Sequence, residues 1–145
     1  ARVRDAGDDP RGFLDALIDL HARRWRERDE MGVLCDARVQ AFHRLAVPEL
    51  SAGGLLRSAS LLVSGRIIAA HYGFAAHGRV YAYLGGFDPD FAFESPGSVL
   101  MARSIEGAVR EKARRFDLLR GREAYKYGWG AVDRWNLRRS VTRSG

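Results

Sequence analysis

A single cysteine, Cys35, cannot form an intrachain disulfide, and it excludes a cysteine-rich zinc module. Without an activating partner nearby in the sequence it reads as a small buried hydrophobe. Long apolar runs are missing as well. The longest, over 60–63 and 67–70, fall far short of a bilayer span, so no membrane insertion is expected. The four histidines (His21, His43, His71 and His77) are dispersed without ligand spacing, so no metal site is expected. Walker A and dinucleotide glycine fingerprints are absent, as is the nucleophile elbow of a serine hydrolase. Lysine is scarce, with only Lys112 and Lys126. The chain opens at Ala1 with no initiator methionine and no signal peptide. It is expected to be a fragment of a longer protein, with a cytoplasmic location.

Arginine therefore carries the positive charge. Lys+Arg number 24 and Asp+Glu 18, a formal net charge of +6 with histidines neutral. Guanidinium groups pair well with phosphate, so an anionic ligand is one reading and a solvated surface the other. No helix-turn-helix, zinc finger or RNA-binding signature accompanies the charge, which leaves nucleic acid disfavoured. A length of 145 residues and a hydrophobic fraction of 46% suit one domain with a real core rather than a disordered chain.

Periodicity divides the chain. Residues 1–12 are polar and read as an arm or linker, and 13–145 as the domain. Phe13, Leu14, Leu17, Ile18, His21 and Trp25 recur at helical spacing, predicting a helix over 10–28. A second helix is expected over 36–50, with Val39, Phe42, Leu45 and Ala46 on its apolar face. The period then becomes strand-like over 55–63, 67–75 and 80–87. Ser64-Gly65 and His77-Gly78 punctuate these runs, which predicts an antiparallel meander. Residues 88–97 read as a loop. A helix over 99–114, capped by Ser98, should turn Ile105 and Val109 to the core. A short strand over 116–119 should add a parallel element beside the meander. A last strand is expected over 135–142.

Two constellations carry chemistry. Gly97 and Ser98 open a helix after a strand and a loop, where free backbone N–H groups and the helix dipole suit a pyrophosphate. An ordinary capped turn explains the same residues. The second group follows the predicted strand end: Asp117, Arg120, Arg122, Glu123, Tyr125, Lys126 and Trp129. Glu123 and Lys126 could pair across one helical turn. Among those aromatics they could also line a polar pocket, with Glu123 as base, Lys126 holding an anion or stabilising negative charge, and Asp117 as a weaker alternative. His71, on a predicted strand, either borders a groove or is a satisfied core histidine. The aromatics Trp25, Tyr81, Tyr83, Trp129 and Trp135 exceed the needs of a small core. They point to a pocket, a homodimer or a missing neighbouring domain.

The motifs Leu20-His21-Ala22-Arg23-Arg24-Trp25, Gly65-Arg66-Ile67-Ile68-Ala69-Ala70 and Tyr81-Ala82-Tyr83-Leu84-Gly85-Gly86-Phe87-Asp88-Pro89 give the chain a family likeness. Ser95-Pro96-Gly97 and the stretch from Leu119 to Trp129 extend it. The pattern resembles the GCN5-related N-acetyltransferase superfamily, and more narrowly a branch associated with cellulose biosynthesis and related to Fem-type aminoacyltransferases. The resemblance implies an α/β (α+β) fold with a mixed central sheet, an antiparallel meander and flanking helices. It also implies acyl transfer from acyl-coenzyme A, such as acetyl-CoA, to an amine of a small, sugar-linked or peptide acceptor. Gly97 and Ser98 would then contact the donor phosphates. The loop Glu94-Ser95-Pro96-Gly97-Ser98-Val99 departs from the family pattern, since only Gly97 matches well and Glu94 would repel phosphate. Two alternatives stand beside this reading: a Fem-type transferase that takes its donor from aminoacyl-tRNA, and a noncatalytic interaction domain that retains the fold.

Overall fold

The computed structural model describes residues 1–27 and 32–144, without the side chains of 25–27. The predicted contact of Trp25 and the predicted helix end at Arg28 therefore lie outside the described residues. Five strands form one sheet in the order β1-β2-β3-β4-β5. They are β1 (Arg2–Asp5), β2 (Ala59–Val63), β3 (Arg66–Ala76), β4 (Arg79–Phe87) and β5 (Arg115–Asp117). Neighbouring pairs are antiparallel from β1 to β4, and β5 runs parallel to β4. The helices are α1 (Pro10–Glu27), α2 (Ala37–Ala52), α3 (Pro96–Arg110) and the short α4 (Ala124–Gly128).

The segment read as an arm is an edge strand. Arg2 pairs with Leu62 and Asp5 with Ala59. Two arginines and an aspartate in four residues conceal it from a composition reading, but an edge tolerates charge on its open side. Val3 packs against the cluster of Leu61, Ile68, Ala69 and Leu100. The chain then enters α1, where Asp9 accepts the Gly12 N–H at 3.0 Å and Pro10 occupies the first turn. Phe13, Leu14, Leu17 and His21 are buried as their spacing predicts, Ile18 is half-buried, and Leu20 is buried beside them.

In α2, Asp36 caps the helix by accepting the Arg38 N–H at 2.8 Å. The buried stripe differs from the predicted one. His43 and Val47 are buried, with Val39 and Leu50 against the core, while Phe42 and Leu45 are exposed. The helix is rotated by about one residue, 100°, because the Tyr72 hydroxyl gives the buried His43 a partner at 3.0 Å.

The meander forms as expected. Ser64 and Gly65, then His77 and Gly78, all have positive φ at the two turns, the geometry that matches strand twist in tight hairpins. Two register shifts bend the sheet, one at Ile68 in β3 and one at Tyr83 in β4. The first strand of the meander is shorter than predicted. Only a bridge from Leu56 to Phe74 precedes it, and Ser58 Oγ holds the gap by accepting from Gly73 N–H at 2.9 Å and donating to its carbonyl at 2.8 Å.

Ala70 and Tyr72 face α1 and α2, whereas Ala69 faces α3 through Leu100. Helix α3 starts earlier than the sequence suggests and buries Leu100, Met101 and Ala108. Ile105 is half-buried and Val109 is 71% exposed, which corrects the predicted core face. Residues 131–144 form no strand: no described edge pairs with them, and backbone groups without a ladder stay in solvent.

Candidate active site

The parallel pairing of β4 with β5 runs from Arg79/Arg115 to Tyr81/Asp117 and stops there. Beyond Tyr81, β4 continues to Phe87 with no strand beside that edge among the described residues. The bulge at Tyr83 lies in this uncovered part. A crossover helix returns from the carboxyl end of one parallel strand to the start of the next, so the N-terminus of α3 lies at the carboxyl ends of β4 and β5. Open α/β sheets place ligands in that crevice.

The first turn of α3 is unusual. Ser95 sits in the left-handed region (φ 47) and its side chain makes no cap bond. Its carbonyl accepts from Ser98 N–H at 3.0 Å and Val99 N–H at 3.3 Å. Ser98 is thus inside the first turn and Ser95 holds the cap position assigned to it. Pro96 has no N–H, which leaves the Gly97 N–H as the free donor of this turn. Gly97 is exposed, and a Cβ added to it would meet nothing within 4 Å. Glu94, just before the turn, is exposed.

At the end of β4, Asp88 is fully buried. Its carboxylate receives Arg23 at 3.3 and 3.4 Å and is also bonded by Arg66. Its N–H donates to the Ile68 carbonyl at 2.7 Å, and Oδ1 accepts the Asp90 N–H at 3.0 Å. One carboxylate therefore ties α1, the start of β3 and the 3-10 turn Pro89–Glu94 together. The sequence reading gave Asp88 no role. The available signal was an acid closing an apolar strand directly before a proline.

The other predicted groups cluster after β5. Lys126 Nζ lies 2.9 Å from Glu123 Oε2, 2.5 Å from the Arg120 carbonyl and 3.4 Å from that of Gly121. The Lys126 side chain is 7% exposed and that of Glu123 55%. The hydrogen bond from Lys126 is the main cause holding the Glu123 carboxyl below its usual range, so it is ionised at neutral pH. Asp117 is spent locally, accepting the Leu119 N–H at 2.7 Å. The structure therefore brings Glu123 and Lys126 together and leaves Asp117 out of that pair. His71 lines neither of the cavities among the described residues. It is buried over Gly73, its Nε2 has no partner, and burial lowers its pKa to about 4.

Tyr83, one of the aromatics that pointed to a pocket, lines a cavity of about 440 Å³ between α2 and the sheet, whose other walls the sequence did not announce. Phe42, His43, Ala46, Glu49 and Leu50 line it from α2, and Tyr72, Phe74 and Tyr83 from the strands. Tyr72 and Tyr83 meet edge-on, with ring centroids 5.6 Å apart. Burial lowers the His43 pKa and, with Tyr83 adding to it, raises that of Tyr72 to about 12, so both are neutral near pH 7. The cavity was hidden because its residues come from three elements far apart in the sequence.

Residues 1–127 match the family described as the acetyltransferase (GNAT) domain. The chain belongs to this family. Its fold agrees with that assignment. An aminoglycoside 6'-N-acetyltransferase, AAC(6')-IG from Acinetobacter haemolyticus, superposes with a TM-score of 0.68 at 11% identity, covering 100% of each chain. Aminoglycoside N-acetyltransferase AAC(6')-Iy, solved with CoA, gives 0.62 at 13% identity over 99% of this chain and 93% of that one. The aminoglycoside acetyltransferase meta-AAC0020, from an uncultured soil metagenomic sample and solved with sisomicin, gives 0.63 at 10% identity over 98% and 95%. At these identities the likeness establishes the GNAT fold, with its mixed five-stranded sheet and flanking helices. No curated protein matches the chain significantly.

Proposed function

We propose that this GNAT domain is a cytoplasmic N-acyltransferase that moves an acyl group, acetyl first, from acyl-coenzyme A to the amine of a small, sugar-linked or peptide acceptor. The observation that carries this reading is the parting of β4 from β5 beyond Tyr81 and Asp117, at the end of the sheet where α3 presents its open first turn. The residues there fit an acyl-coenzyme A: Gly97 leaves room for close approach and keeps a free N–H, and the helix dipole favours an anion. The Ser98 side chain adds a hydroxyl donor. Bound there, the thioester supplies an activated acyl carbon.

On the side of β4 away from β3, the main-chain groups past Tyr81 have no strand partner among the described residues and can orient that carbonyl. Glu123 takes up the proton of the attacking amine, at Oε1 or through a water, while its other oxygen, Oε2, remains paired with Lys126. Lys126 keeps the turn over 120–126 closed through the two carbonyls it holds. Asp117 is the weaker alternative to Glu123, since its Oδ1 serves a turn. The motifs from Tyr81 to Pro89 and from Leu119 to Trp129 support a place in the cellulose-biosynthesis-associated, Fem-related branch.

The test is titration with acetyl-CoA and separately with aminoacyl-tRNA, followed by thiol release with a panel of amines. Acetyl-CoA should bind and aminoacyl-tRNA should not. Glu123→Gln should lower turnover about 100-fold, the usual scale for removing a general base, with donor affinity unchanged. Normal turnover in Glu123→Gln would remove it from the chemistry. Failure to bind either donor would favour a noncatalytic domain.

A further inference from the structure

The cavity between α2 and the sheet has the size of a small-ligand site. Its lining is mostly apolar and aromatic, with the rings of Phe42, Tyr72, Phe74 and Tyr83. Glu49 is the one charged residue among its described lining residues; it is exposed, at the solvent side of the cavity, and its carboxylate has no ion-pair or hydrogen-bond partner among the described residues. This carboxylate stands out in a chain of net charge +6. The neighbouring Arg44 does not neutralise it, because its guanidinium pairs with Asp15 at 2.7 Å. His43 adds no charge: burial keeps it neutral, and its Nδ1 is bonded to the Tyr72 hydroxyl.

Such a lining selects its ligand by chemistry. Ring faces attract a cation, and a carboxylate at the solvent rim of those rings adds to that attraction. A polyhydroxylated sugar would find few partners there, since the lining is mostly apolar and His43 Nδ1 and the Tyr72 hydroxyl already bond each other. A sugar hydroxyl buried against those rings would lose its water and gain no partner. Tyr83 is both a wall of the cavity and the bulged residue of β4, so the cavity adjoins the stretch of β4 that β5 leaves uncovered.

We propose that this cavity takes the apolar body of a primary amine, aromatic or branched aliphatic, with its ammonium group at the Glu49 carboxylate. The proposal rests on the acyl-transfer reading and narrows its acceptor to a simple amine or the amino end of an apolar peptide rather than an aminosugar. The experiment is calorimetric titration of the full chain, without donor, using 2-phenylethylamine, its neutral isostere 2-phenylethanol, and kanamycin. Phenylethylamine should bind about tenfold more tightly than either of the others, as one charge-assisted contact predicts. Glu49→Gln should remove that margin and leave phenylethanol binding unchanged. Tighter binding of kanamycin, an unchanged margin in Glu49→Gln, or no binding of phenylethylamine would each overturn the proposal. A parallel acetyl-CoA titration separates the two readings: amine binding without donor binding overturns the acyl-transfer function alone, and donor binding without amine binding overturns the cavity assignment alone.

Discussion

His71 is held neutral inside the sheet, with its Nε2 unpartnered and its pKa lowered from 6.5 to about 4. The unfolded chain takes up a proton near pH 6.5, while the folded chain resists until about pH 4. Stability is therefore full above pH 6.5, falls as the pH drops towards 4, and levels off below that. The shift corresponds to about 3 kcal/mol. Urea denaturation of wild type and His71→Leu across pH 4–7.5 should show a larger loss of stability towards pH 4 in wild type than in the variant. His21 and His43 shift in the same direction, so the difference between the two proteins isolates His71. Lys126 is a second residue whose setting the sequence left open. Its ammonium is held by two carbonyls and one carboxylate. Lys126→Met should cost about 2 kcal/mol in chemical denaturation, because two carbonyls lose their donor. Spacing announced the Glu123–Lys126 pair. It could not announce the carbonyls of Arg120 and Gly121, which depend on how the chain turns between them.

Helix α3 shows how an element can be recognised while one edge of its buried face is misread. The apolar residues from Val99 to Val109 fit a helix in more than one rotation, and only the sheet selects one. Leu100 is buried against Ala69 and Leu61, whereas Val109 is in solvent. Leu100→Ala should lower stability by about 3 kcal/mol. Val109→Ala should stay within about 0.5 kcal/mol. Equal losses in thermal denaturation would show that the helix is turned as the sequence pattern suggested. The same ambiguity affects α2, where His43 faces inward in place of Phe42 because Tyr72 bonds it.

Across the whole molecule, the sheet ends at β5, a three-residue strand with no described neighbour on its outer side. The tail after α4 exposes Val132, Trp135, Leu137 and Val141, and Trp135 meets only the Arg122 guanidinium among the described aromatic contacts, 4.9 Å from its ring centroid. An unpaired strand edge and an apolar extended segment on one chain favour association between copies. Sedimentation should show self-association that rises with concentration and is lost in the Trp135→Ser/Leu137→Ser double variant. A monomer at every concentration would refute it.

Local chemistry determined the elements of this protein. Positive-φ turns at Ser64-Gly65 and His77-Gly78 impose hairpins, and the change from helical to strand-like period separates α1 and α2 from the meander, because both signals act over a few neighbouring residues. The order of helices and meander strands was legible for that reason, as was the pairing of Glu123 with Lys126, while the GNAT fold was implied by the motifs' resemblance. Tertiary structure alone decided the rest. An edge strand of two arginines, a valine and an aspartate exists only because β2 offers it a ladder. Asp88 becomes a buried junction only when Arg23 and Arg66, from distant parts of the chain, converge on it. The aromatic cavity needs the β4 bulge to bring Tyr83 beside Tyr72 and α2 to turn Glu49 to the same side. Each depends on groups far apart in the chain, whose meeting is fixed by packing and not by any pattern a short window of sequence contains.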